Sequence, residues 1–196
     1  MDDVVTWLLE GDAAVRHQTY RDLLGEDHPE LASVIATDGD AAALLAARTP
    51  DGHWGRGFYQ PKWTSSHYTL VELRNLELPG THPAAREAVH LILREKGPDG
   101  GVNPSPIIRH SDACINGIFL DYASWFGATD ADLASVVDFL LAQAMPDGGF
   151  NCRRNRSGAR IASVHTTLSV LEGLTSYLAA GATRRADEVR TARDAA

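Results

Sequence analysis

The tripeptide Pro-Asp-Gly stands at residues 50–52, 98–100 and 146–148, with a spacing of 48 residues both times. No other feature constrains the fold as tightly, because a fixed period of this length means one structural unit used several times over. Leu45, Leu93 and Leu141 keep the same interval, each five residues before a proline of the tripeptide. The preceding stretches, 37–48, 84–96 and 131–144, carry apolar residues at helical spacing. In the third, Leu133, Val136, Val137, Leu140 and Leu141 follow i, i+3, i+4, i+7, i+8. These stretches should be helices with one buried stripe. Each is expected to stop at its Pro-Asp-Gly, since proline cannot continue the ladder and glycine admits the left-handed turn that follows.

After each turn comes an anchor, Trp54, Val102 or Phe150, and then a second helical stretch at 65–77, 112–126 or 163–179. Leu70, Val71 and Leu73, then Ile115, Ile118, Phe119 and Leu120, then Leu168, Val170, Leu171 and Leu174 spread around most of the circumference of these helices. A helix of that kind is buried on more than one side. The expected fold is therefore all-α, with outer amphipathic helices around inner apolar ones, as in an α/α solenoid or toroid. Residues 2–10 and 13–25 read as a further helix pair, with Asp12 and either Asp2 or Asp3 as N-caps. No linker divides the chain, and no strand-like alternation exceeds about four residues. A single domain over 1–196 is expected, with N-terminal helices at 1–36, three repeats over 37–180 and the start of an incomplete further repeat at 181–196.

Composition removes several function classes. With 18 Lys and Arg against 26 Asp and Glu, the formal net charge is −8, which argues against a nucleic-acid grip built on net charge. All the basic residues except Lys62 and Lys96 are arginines, a side chain suited to phosphate oxygens. Cys114 and Cys152 are too few for a disulfide scaffold, and a cytosolic chain would keep them reduced. The N-terminus lacks the basic region and apolar run of a signal peptide. No stretch approaches the roughly 18 apolar residues of a membrane span. The expected compartment is the cytoplasm.

The segment Leu-Leu-Ala-Gln-Ala-Met-Pro-Asp-Gly-Gly-Phe at 140–150, with its relatives Pro-Asp-Gly-His-Trp-Gly and Pro-Asp-Gly-Gly-Val-Asn, resembles the repeat of protein prenyltransferase β subunits and squalene or hopene cyclases. The resemblance covers roughly residues 38–180. It implies an α/α toroid whose inner helices line an apolar cavity for isoprenoid chains. The cyclase branch uses an acid from an Asp-x-Asp-Asp motif, which this chain lacks. Its nearest approach, Asp130-Ala131-Asp132-Leu133, opens an outer helix and reads as an N-cap and a first-turn acid.

The prenyltransferase branch carries zinc on an Asp-x-Cys pair at the start of one inner helix and a histidine at the start of the next. Asp112-Ala113-Cys114 and the stretch from His165 to Leu174 match those two motifs, with 53 residues between Asp112 and His165. The resemblance thus implies Asp112, Cys114 and His165 as metal-holding and catalytic residues. One carboxylate, one thiolate and one imidazole leave a fourth zinc position open for an incoming thiol, which the metal would deprotonate. Cys152 is a candidate fourth ligand that would close the site and make it structural. The plain alternative is Asp112 as an N-cap, Cys114 as a small buried residue and His165 as a polar first-turn residue.

The chain departs from that family at several positions. The basic Arg-x-x-Lys pair that grips the diphosphate is represented by Pro106 and Arg109, the tyrosine after the cysteine is Ile115, and His-Gly-Gly-Tyr-Thr is Ser65-Ser66-His67-Tyr68-Thr69. Arg153, Arg154, Arg156, Arg160 and Lys62 lie in the loops before inner helices; Arg109, Arg154 and Lys62 are the expected diphosphate contacts. Trp54 reads as a packing anchor, whereas Trp63, Tyr68 and Trp125 are candidates to touch an isoprenoid or its allylic cation.

Three functions follow as expectations: a zinc-dependent prenyltransferase-like transfer of an isoprenoid diphosphate to a thiol, a cyclase-like isoprenoid-binding domain without the acid, and a non-enzymatic helical-repeat interaction module. Continuing the period to 194–196 meets Asp194-Ala195-Ala196 in place of the tripeptide. A closed ring of this family needs about six hairpins, so either a fragment of a longer protein or an open partial ring is expected, associating with itself or with a second chain.

Overall fold

The computed structural model describes residues 3–105 and 107–196. Asp2 and Pro106, which entered the reading of the sequence, lie outside the described residues. The elements are helices joined by turns, and among the described residues the nearest thing to a strand is one isolated antiparallel bridge between Lys96 and Val102. The fold class is all-α. The chain groups into two compact units, Met1–Ala85 and Arg86–Ala196.

In the first unit, α1 (Asp3–Leu8) is followed by α2 (Ala13–Thr19), which runs on into a single π turn at Tyr20–Leu24. Asp12 caps α2 as its sequence position predicts, its Oδ1 accepting from the Val15 N–H at 3.0 Å. Gly25, at φ 70°, closes the π turn in the left-handed region. A helix the sequence pattern does not announce, α3 (Pro29–Val34), starts on Pro29 at its first turn and ends in a 3-10 turn at Ile35–Thr37. Then come α4 (Gly39–Ala46) and α5 (Ser66–Asn75), whose Leu70 and Leu73 are fully buried. The division falls within α6 (Pro83–Ile92).

The second unit contains α7 (Ala113–Trp125), α8 (Asp130–Ala142), the short α9 (Arg154–Ser157), α10 (Val164–Ala179) and α11 (Ala186–Ala195). Its core combines Phe119, Leu120 and Tyr122 of α7, Leu133, Val136, Val137 and Leu140 of α8, Val170, Leu174 and Tyr177 of α10, and Val189 of α11. Thr129, not Asp130, caps α8, in a reciprocal box with Asp132. The Asp130 Oδ2 accepts from the Thr183 and Arg184 N–H groups at 2.9 and 3.1 Å.

The Pro-Asp-Gly segments do not themselves stop the outer helices. α4, α6 and α8 end at Ala46, Ile92 and Ala142, ahead of each proline, and the tripeptide builds the turn beyond. Gly52, Gly100 and Gly148 stand at φ 86°, 89° and 91°. Their N–H groups donate to Thr49, Gly97 and Met145 carbonyls at 3.0, 3.1 and 2.9 Å. Two residues on, the N–H groups of Trp54, Val102 and Phe150 donate to Ser66 Oγ, Asn116 Oδ1 and Thr167 Oγ1 at 3.0, 2.7 and 2.9 Å. The same turn is thus made three times, each fastened to a first-turn side chain of the next long helix. Among the described residues no helix is long and apolar enough to cross a membrane.

Candidate functional site

A cluster of reactive side chains in the second unit lies where the segment 150–163, which includes α9, passes the N-terminus of α7. Asp112 is the residue before α7 and Cys114 is in its first turn. Cys152 comes from the loop. Its Sγ lies 2.9 Å from the Sγ of Cys114 and accepts the Cys114 backbone N–H at 3.1 Å. The Thr166 hydroxyl, from the first turn of α10, donates to the same sulfur at 3.5 Å. That backbone N–H is one of those left without a helical partner at a helix start, so a sulfur bearing negative charge is favoured there.

Further bonds hold the loop in place. Asn155 Nδ2 donates to the Ser111 carbonyl at 3.0 Å, and Arg156 Nη2 to Asp112 Oδ2 at 2.8 Å and to the His110 carbonyl at 3.4 Å. Burial pushes the Asp112 carboxyl above its ordinary range, against the opposing pull of the Arg156 guanidinium. The hydrogen bond shared by the two sulfurs lowers the Cys152 thiol and raises that of Cys114, which burial raises further.

Asp112 and Cys114 therefore lie together at the start of α7. His165 is exposed in the first turn of α10. Two thiolates on one tetrahedral zinc, each at about 2.3 Å, would stand roughly 3.8 Å apart, and these sulfurs are 2.9 Å apart. Among the described residues no group of three or more His, Cys, Asp and Glu side chains is arranged to hold a metal ion. As placed, the Asp112 carboxylate is tied to the Arg156 guanidinium, and the sulfurs of Cys114 and Cys152 face each other.

Of the cations expected at a diphosphate, Arg154 is turned toward the protein. Its Nη1 donates to the Ala142 carbonyl at 2.8 Å and also to that of Ala144, satisfying the free carbonyls at the end of α8. Arg109 is exposed and lines a cleft of about 660 Å³ with Arg94, Lys96, Ile108, Pro98 and Pro104, where Glu95 is the only acidic lining residue among those described. Lys96 Nζ donates to the Asp132 carbonyl at 2.8 Å, which fixes its position. Arg94 and Lys96 carried no signal in the sequence beyond their charge. They stand at the end of a predicted outer helix, a place normally read as a solvated terminus.

Lys62, Trp63 and Tyr68 belong to the first unit, where they form an aromatic cluster. The Tyr68 hydroxyl donates to that of Tyr59 at 2.9 Å, the Trp63 and Tyr68 rings are 4.9 Å apart, and the Lys62 ammonium lies 6.0 Å from the centre of the Tyr59 ring. Trp63 is 75 % exposed and its backbone is left-handed, at φ 75°. Trp54, by contrast, is a packing anchor: it is buried, and its indole Nε1 donates to the Leu44 carbonyl at 2.6 Å. Trp125, at the end of α7, is 38 % exposed.

No protein-family model, curated protein or solved structure matches this chain.

Proposed function

We propose that this chain is a prenyltransferase-like protein of α/α-toroid type that binds an isoprenoid diphosphate, with the diphosphate at the Arg94–Lys96–Arg109 cleft. The observation that carries this reading is the cleft itself: among the described residues its lining includes Arg94, Lys96 and Arg109 beside one acidic residue, Glu95, on a chain whose net charge is −8. Guanidinium forks match diphosphate oxygens, and an ammonium adds a point charge. Ile108 in the wall of the cleft and its neighbour Ile107 are 44 % and 87 % exposed, which offers apolar surface beside the cations for the first isoprene units. The turn made three times at a 48-residue interval supports a hairpin array of this type. No zinc-dependent step is part of this reading.

Isothermal calorimetry with farnesyl diphosphate, inorganic diphosphate and farnesol, in chelator-treated and zinc-supplemented buffers, tests it. Farnesyl diphosphate should bind more tightly than either half alone, and Arg109→Ala with Arg94→Ala should weaken it roughly tenfold or more. Equal affinity for the double variant, or no heat at millimolar ligand, rejects the proposal.

A further inference from the structure

We propose that Cys114 and Cys152 are a redox dithiol that closes reversibly to a disulfide by exchange with a low-molecular-weight disulfide of the glutathione class. The inference is independent of the isoprenoid reading. Its basis is the geometry at the start of α7, where the two sulfurs stand 2.9 Å apart. A bonded pair is at about 2.03–2.05 Å, so less than about 1 Å of closing motion separates the dithiol from the disulfide. One sulfur is carried by a helix and the other by a loop, and a loop can supply that motion at lower cost than two packed helices. A metal bridge would need the sulfurs to separate, whereas oxidation needs them only to close.

The surroundings favour the pairing of these two groups. The Cys114 N–H and the Thr166 hydroxyl both point at the Cys152 sulfur, and Asn155 and Arg156 hold the loop against residues 110–112. Both cysteines are half-buried, which leaves them within reach of a small disulfide. They are the only two cysteines in the chain, so an intramolecular bond has a single connectivity.

The exchange proceeds in two steps. One protein thiol loses its proton to water and, as the thiolate, attacks a sulfur of the small disulfide, whose S–S bond breaks; one small thiolate leaves and takes a proton from water. The second protein thiol then loses its proton to water and attacks the protein sulfur of the mixed disulfide, whose S–S bond breaks; the other small thiolate leaves and takes a proton from water. Protein dithiol and one small disulfide thus become protein disulfide and two small thiols, with two electrons transferred. The product ties the loop carrying Arg153, Arg154, Arg156 and Arg160 covalently to α7.

The test uses the full chain, reduced, treated with chelator, and equilibrated in buffers of graded glutathione to glutathione-disulfide ratio before acid quench, alkylation and intact-mass analysis. Wild type should lose both alkylatable thiols together, fall in mass by two hydrogens and recover fully on reduction. Cys114→Ser and Cys152→Ser should each retain one glutathione as a mixed disulfide, and should require roughly tenfold or more glutathione disulfide to do so, because the second thiol in wild type acts at high effective concentration. Glutathione adducts accumulating on wild type in place of the intramolecular bond would overturn the proposal. So would two thiols that remain alkylatable at a ratio that fully modifies the single-cysteine variants.

Discussion

His67 shows how much a single buried side chain can determine. It is 1 % exposed, its ring set edge-on to those of Phe58 and Tyr68. Burial holds its imidazole down at about 4, against an unfolded value of about 6.5. Between those two values the unfolded chain binds a proton that the folded chain does not, so stability rises with pH across this window. The contribution is fully present above about pH 6.5 and is lost progressively as pH falls to about 4, and it amounts to roughly 3 kcal/mol. Urea unfolding at pH 7 and pH 4.5 should therefore show a larger loss for wild type than for His67→Gln, and equal losses would contradict the assignment. In the sequence His67 stands out only as a histidine displaced by two from a family motif. The ties between Asp112 and Arg156 and between Cys114 and Cys152 are harder still to foresee, since they join residues 44 and 38 apart through a loop whose path no periodicity encodes.

Among the helices, α7 and α10 make the most extensive contact between elements of the described residues, and two glycines permit it. A Cβ at Gly117 would lie 2.5 Å from the Ser169 carbonyl oxygen and 2.7 Å from Val170 Cα, and one at Gly173 would meet the Gly117 carbonyl oxygen. Both obstacles are backbone and cannot turn aside. Gly117→Ala and Gly173→Ala should each destabilise the second unit by about 1–3 kcal/mol or more, although alanine is the better helix former by about 1 kcal/mol. Thermal melts that show either variant unchanged or stabilised would mean the helices have room to separate. Both glycines are visible in the sequence as interruptions of apolar inner helices, but nothing in a one-dimensional pattern says that they face each other. The helices themselves were legible because apolar spacing reports burial directly. Their ends were not, because Ala46, Ile92 and Ala142 are set by how the following turn bonds to the next helix rather than by the proline that follows.

At the scale of the molecule, several large aliphatic side chains of the second unit stand exposed near the start of α10. Ile161, Val164 and Leu168 are 77 %, 83 % and 54 % exposed, and Val164 and Leu168 line a groove of about 360 Å³ with Leu171 and Ala162 at the start of α10. Large aliphatic side chains standing together in water lose the roughly 25 cal/mol per Å² that burial would return, so surfaces of this kind mark contacts with other molecules. The acidic chain opposes association at low salt through its net charge of −8, and added salt screens that repulsion while leaving the apolar attraction intact. The two effects give association a signature of its own. Sedimentation velocity over a concentration series should show self-association that strengthens from low to moderate salt and that Val164→Asp with Leu168→Asp abolishes. If the groove instead serves a different partner, wild type and the double variant sediment alike as monomers at every salt concentration. Association that weakens with salt would place the contact among the arginines and carboxylates and remove α10 from consideration.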